Sequence, residues 1–163
     1  MITKYIKGDI VALFLSGKNI AHGCNCFHTM GGGIAGQLAK AYYPIEAIDK
    51  DTDFADIRKL GTFTKAVLST RFNKQENICF NLYTQYYAGP DLRYGALVDS
   101  LIELNKWAEN QICIPQIYMP RIGCGIAGGD WTKVEALINM FTPNIDVVIV
   151  DWAPNENTLS TPI

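Results

Sequence analysis

Asn19-Ile20-Ala21-His22-Gly23-Cys24-Asn25-Cys26-Phe27-His28-Thr29-Met30-Gly31-Gly32-Gly33-Ile34-Ala35-Gly36 runs from an apolar segment into a glycine cluster and on into helix-forming residues. It predicts a strand over Asn19 to Cys24, a glycine loop, and a helix that starts in the glycines and includes Gln37 to Ala41 before Pro44. Outward from this unit, apolar patterns predict further strands at Ile2 to Ile6, Phe63 to Ser69, Ile78 to Tyr83, Ile117 to Arg121 and Ile145 to Val150. The last is β-branched along almost its whole length, as a strand covered on both faces would be, which puts it at the sheet centre. Leu97, Leu101, Leu104 and Ala108 form one stripe of a helix over Arg93 to Glu109. Another helix follows Trp131, where Thr132 and Glu135 fit a capping box and Val134, Leu137, Ile138 and Phe141 form the apolar face before Pro143. Glu46 to Lys59 reads as helical from Ile48, Phe54 and Ile57. The alternation of strands and helices predicts an α/β sandwich with helices on both faces of the sheet.

The chain has 163 residues, with 14 basic and 16 acidic side chains and a formal charge of −2. A near-neutral chain without a Lys/Arg block gives little attraction for a polyanion, so sequence-specific nucleic acid binding is not expected. A small nucleotide ligand stays open. A chain of this size buries roughly 70% of its unfolded surface and needs no disulfide staples. The 5 cysteines are an odd number without a secreted framework. With no apolar run of membrane length and no signal-peptide layout at Met1 to Tyr5, a cytoplasmic location and no membrane partner are expected. The domain is expected to span residues 1–152, and residues 153–163, with two prolines, to form a surface extension.

Ten of the 14 glycines fall into three segments that follow predicted strands: Gly8, then Gly23 through Gly36, then Gly123 through Gly129. Ligands of open α/β sheets bind at such strand ends. G-x-G-x-x-G occurs twice, as Gly31, Gly33, Gly36 and as Gly123, Gly125, Gly128. Glycine there lets backbone N–H groups approach phosphate oxygens, and a following helix N-terminus adds partial positive charge. A dinucleotide fold uses one copy and an acidic residue at the end of the next strand. Asp53 and Asp56 have the distance but no strand before them, so two loops fit a clamp on a diphosphate better. Tight turns are the structural alternative.

Lys7-Gly8-Asp9-Ile10, His22-Gly23-Cys24-Asn25 with Met30-Gly31-Gly32-Gly33-Ile34-Ala35, and Pro120-Arg121-Ile122-Gly123-Cys124-Gly125-Ile126-Ala127-Gly128 resemble the three ligand segments of the macrodomain family. The resemblance covers nearly the whole chain, and the His-x-Cys-Asn wording is most like the ADP-ribose 1″-phosphate phosphatase branch. It implies a three-layer sandwich with a mixed central sheet, an ADP-ribose or ADP-ribose 1″-phosphate ligand, ADP-ribosylated macromolecules as further partners, and no cofactor or metal. Residue by residue, it implies that Asp9 accepts the adenine amino group beside the Gly8 and Ile10 backbone. Asn25 positions the distal ribose, with Gly23, Cys24 and Met30 in the same segment. Gly31, Gly32, Gly33, Ile34 and Ala35 wrap that ribose and its phosphate. Gly123, Cys124, Gly125, Ile126, Ala127 and Gly128 hold the diphosphate, and Trp152 packs against adenine, unless it seals the sheet end.

The chain departs from the family in its second loop, which commonly carries an aromatic over the distal ribose. Here Ala127 and Gly129 leave that cover missing, with Trp131 a candidate to fill it. Gln85 and Ala127 stand where the branch using a lysyl intermediate has lysine and aspartate, so that covalent route is closed. The resemblance to the phosphatase branch favours His22 over His28 as the group that activates water, with Asn25 orienting it. Asp130 reads first as a helix cap. The rival for His22, Cys24, Cys26 and His28, at steps of two, is a zinc site, although Cys-x-Cys on a strand spreads its ligands along a line. Buried packing is the plain alternative for the two cysteines.

Overall fold

The computed structural model describes residues 1–69 and 76–154. It contains β1 (Ile2–Gly8), α1 (Ile10–Leu15), β2 (Asn19–Cys24), α2 (Gly33–Ala41), α3 (Pro44–Lys50), β3 (Phe63–Leu68), β4 (Asn77–Tyr83), α4 (Tyr94–Glu109), β5 (Gln116–Met119), α5 (Trp131–Phe141) and β6 (Asp146–Trp152). The sheet order is β1-β6-β5-β2-β4-β3. Each neighbouring pair is parallel except β3 with β4, so the sheet is mixed.

Strand alternation divides the interior into two layers. Ala21, Phe80, Leu82, Ile117, Met119, Val147 and Ile149 pack under Leu97, Leu101 and Leu104 of α4 and Val134 and Ile138 of α5. Ile20, Cys79, Tyr83, Tyr118, Val148 and Val150 face Phe14 of α1, Leu38 of α2 and Ile45 of α3. The result is the expected three-layer α/β sandwich with helices on both faces.

Several local expectations change. β6 is buried as predicted, but it lies between β1 and β5, one place from the edge rather than at the centre. The α5 N-cap is Asp130, whose carboxylate accepts the Thr132 amide proton at 2.9 Å, so the capping box at Thr132 does not form. Pro44 starts α3 instead of merely ending α2, because a first-turn residue needs no amide proton. The helix expected to reach Lys59 stops at Lys50, and a single 3-10 turn follows at Ile57–Lys59. The six-residue α1 was not foreseen. Its signal is Asp9, which caps it through the Val11 amide at 2.9 Å. Most of the expected extension at 153–163 lies outside the described residues.

Candidate functional site

β2 and β5 pair only at Asn19 with Ile117 and at Ile20 with Tyr118, whereas β2 stays in register with β4 as far as Cys24 and Tyr83. The two parallel strands therefore part beyond Ile20, and the sheet opens at its carboxyl edge. A cleft of about 690 Å³ lies there, within the roughly 300–1,000 Å³ usual for small-molecule sites. Gly23, Cys24, Asn25 and Thr29 with Gly31 to Ala35 form one wall, and Pro120 to Ala127 form the other. Following the strand order, Gly8, Ile10, Val150, Asp151 and Trp152 border the β1/β6 end, and Gln85, Ala88 and Gly89 border the β4 end.

The walls present backbone amides. The N-cap of α2 is Gly32, without a side-chain cap, so the first-turn amides of Gly33, Ile34 and Ala35 are left for an acceptor from outside the helix. Across the cleft, the amides of Gly125, Ile126 and Ala127 donate to no described backbone acceptor outside regular elements. Geometry requires several of these glycines, one in each wall serving as the example. Gly33 has φ +58°, and Gly123 has φ +74° with a hypothetical Cβ only 2.7 Å from Leu92 Cδ1. The exposed Ile126 reaches across the opening, its Cδ1 lying 3.4 Å from where a Cβ on Gly33 would stand. It spans the opening in a loop that carries no aromatic. Trp131 does not, because its ring packs edge-to-face on Tyr5 and against the Arg121 guanidinium.

His22 borders the cleft yet is only 2% exposed. Its Nε2 lies 2.6 Å from Asn81 Oδ1, and Cys24 Sγ stands 3.9 Å from Nδ1. Asn81 uses its amide group on the Ile45 carbonyl at 3.2 Å and on Thr64 Oγ1 at 3.1 Å, which fixes its oxygen toward the imidazole. Nε2 therefore carries the proton and Nδ1 is the basic atom. Burial lowers the His22 pKa, outweighing the hydrogen bond His22 donates to Asn81, and pushes the Cys24 thiol well up.

Asn25 closes its own loop. Its amide group donates to Thr29 O at 3.1 Å and Thr29 Oγ1 at 2.7 Å, and its oxygen accepts from the Phe27 amide at 2.9 Å. Asn25 therefore meets the cleft with both of its donors engaged and one oxygen lone pair left. The linear His/Cys array does not form. β2 ends at Cys24, Cys26 Sγ donates to the Gln85 carbonyl, and His28, at φ +57°, meets Thr52 Oγ1 at 3.1 Å. Arg121 donates to both oxygens of Asp151, at 2.7 and 3.1 Å, and holds that carboxyl below the usual range.

No protein-family model matches the chain. It is 52% identical to an uncharacterised 17.5 kDa protein from the tk-vs intergenic region of Enterobacteria phage T4, covering 94% of this chain and 99% of that one. It is 28% identical to an ADP-ribose 1″-phosphate phosphatase of Scheffersomyces stipitis over 90% of this chain and 99% of that one. Among solved structures it is similar to a macrodomain protein from Streptomyces coelicolor, with TM-score 0.67 and 27% identity over 93% of this chain and 99% of that one. The chain has the macrodomain fold. The architecture of this macrodomain agrees with that, and each of the three quoted segments contributes residues to the cleft lining.

Three expected ligand residues of the macrodomain do not border the cleft. Asp9 points one oxygen into its own helix, Met30 is buried against the α2 side of the core, and Gly128 sits at φ +76° behind the loop, its amide on Gly125 O at 3.1 Å. Conversely, Thr29, Ala88, Gly89, Val150 and Asp151 border it without having been singled out. The dipeptide Gly89-Pro90, a turn signal just after a predicted strand, could have drawn attention to the loop after β4. No described helix is long and apolar enough to cross a membrane.

Proposed function

We propose that this macrodomain binds ADP-ribose and hydrolyses the 1″-phosphate of ADP-ribose 1″-phosphate to ADP-ribose and inorganic phosphate. The observation that carries the binding is the pair of facing amide rows, Gly33 to Ala35 and Gly125 to Ala127, across a strand opening. Such rows suit a diphosphate, since N–H dipoles hold an anion without a counter-charge to desolvate. The chemistry of the two ends orients the ligand. Ile10, Val150 and the 66% exposed Trp152 suit a flat base at the β1/β6 end. Thr29, Gln85 and the remaining Asn25 lone pair suit a sugar at the other.

The printed name of the Scheffersomyces stipitis relative supports the phosphatase reading. In the reaction, water oxygen bonds to phosphorus and the bond from phosphorus to the C1″ oxygen breaks. The leaving oxygen gains a proton and becomes the sugar hydroxyl. Backbone amides at the α2 N-terminus hold the phosphoryl oxygens as charge shifts. His22 Nδ1, unprotonated because Asn81 fixes the proton on Nε2, takes the proton of water.

The burial of His22 favours one second reading, an ADP-ribose-binding module with little turnover. Phosphate release from ADP-ribose 1″-phosphate, measured beside calorimetric titration with ADP-ribose, separates the two. Release and binding together support the phosphatase. Binding without release leaves the module, and no binding rejects both.

A further inference from the structure

We infer that Asp151, held in place by Arg121, accepts a hydroxyl of the adenosine ribose and makes the cleft selective for ADP-ribose that carries no phosphate on that sugar. This rests on the ADP-ribose reading above, with adenosine at the Ile10 and Trp152 end.

Asp151 lies in β6 opposite Lys7 of β1, one residue before Trp152, and Arg121 follows β5. Arg121 Nε meets one carboxylate oxygen at 2.7 Å and Nη2 meets the other at 3.1 Å. The guanidinium carbon is also 5.5 Å from the Tyr5 ring centroid and 5.1 Å from that of Trp131, and Tyr5 donates to Glu135. A fork held by two rings and a carboxylate has little freedom to swing, so the carboxylate it grips is fixed as well. An ionised carboxylate offers about four lone-pair sites, of which Arg121 takes two. Asp151 keeps 39% of its side chain exposed, so the others are open to a ligand.

Among the described residues bordering the cleft, Asp151 is the one carboxylate and Arg121 the one Lys or Arg. A carboxylate near a diphosphate site repels the ligand unless it is neutralised and has a donor to accept. Arg121 does the first. The position provides the second: with the base beside Ile10, Val150 and Trp152 and the diphosphate between the glycine walls, the sugar joining them passes the Pro120, Arg121 and Asp151 stretch. A ribose hydroxyl donates to a carboxylate. A phosphate at the same place brings only acceptors and like charge, and the guanidinium that could bind it is already engaged.

The test is calorimetric titration of the native protein, Asp151→Asn and Arg121→Gln with ADP-ribose and with its 2′-phosphate on the adenosine ribose. The native protein is expected to prefer the unphosphorylated form by about 100-fold or more, because a like-charge juxtaposition costs several kcal/mol. Asp151→Asn is expected to shrink that ratio at least tenfold. Arg121→Gln is expected to weaken ADP-ribose binding while the preference remains, as fits a positioning residue. A ratio taken within one protein cancels any loss of folded fraction. Equal binding of both ligands by the native protein, or an unchanged ratio in Asp151→Asn, overturns the inference while leaving the ADP-ribose reading intact. No binding of ADP-ribose by the native protein overturns both.

Discussion

His22 and Asn81 are register partners on adjacent parallel strands, and their side chains meet at 2.6 Å beneath the cleft floor. The amide oxygen fixes the imidazole tautomer, and burial keeps the ring neutral. One contact thus bears on both stability and the base form of the one histidine that borders the cleft among the described residues.

The pH dependence of stability follows with a definite sign. The folded His22 pKa lies below the ordinary 6.5, so just below that pH the unfolded chain binds a proton that the folded chain does not. The contribution of this group is complete above about pH 6.5 and is lost as pH falls toward the folded value. Thermal melts of the native protein are expected to shift down between about pH 7 and pH 5. His22→Gln, which keeps a donor for Asn81 but cannot titrate, is expected to flatten that slope. An equal slope in both proteins would show that His22 is not the titrating group.

The same variant tests chemistry. With Nδ1 removed, turnover of ADP-ribose 1″-phosphate is expected to fall about 100-fold or more, in the range for loss of a general base. Calorimetric affinity for ADP-ribose is expected to hold. Unchanged turnover would remove His22 from the mechanism and leave it as a buried strut.

Asp9 caps α1, and variants can separate that cap from the adenine contact expected of it. Losing the α1 cap in Asp9→Ala is expected to cost about 0.5–2 kcal/mol in denaturant unfolding. Asp9→Ser restores a capping oxygen and is expected to recover most of that stability. Both variants are expected to bind ADP-ribose about tenfold more weakly, since a hydrogen bond to a charged group contributes about 1.5–3 kcal/mol. Full affinity in Asp9→Ser would leave only the cap.

Gly123→Ala forces a Cβ onto a backbone at φ +74° and against Leu92. The strained conformation costs on the order of 1–3 kcal/mol, and the loop is expected to shift its amides away from the ligand. ADP-ribose affinity is expected to drop by more than tenfold, with the melting temperature falling modestly. Gly125→Ala, where a Cβ meets nothing within 4 Å, is the matched control and is expected to fold like the native protein.

The cleft segments were legible because glycine runs and their neighbours carry a local signal, the need for positive φ and close approach. Gly33, Gly123 and the uncapped start of α2 stand where the sequence put them. Asn25 was legible as a cleft position but not in its contacts, and Asp9 lies outside the cleft lining with its carboxylate on α1. Which lone pair a side chain gives to its own loop or helix depends on local backbone geometry that residue type does not specify. The Asp151 and Arg121 pair was illegible for another reason: thirty residues separate the partners, and each alone looks like an ordinary surface charge.

By itself, the sequence determined the α/β order, the apolar stripes of α4 and α5, and the three glycine segments, because periodicity and backbone sterics act over a few residues. Tertiary structure decided where β2 and β5 part, that Ile126 rather than an aromatic spans the opening, that His22 is buried against Asn81, and that Arg121 grips Asp151. Each of these depends on strand register and on side chains distant in the chain, which become neighbours only when the sheet is assembled.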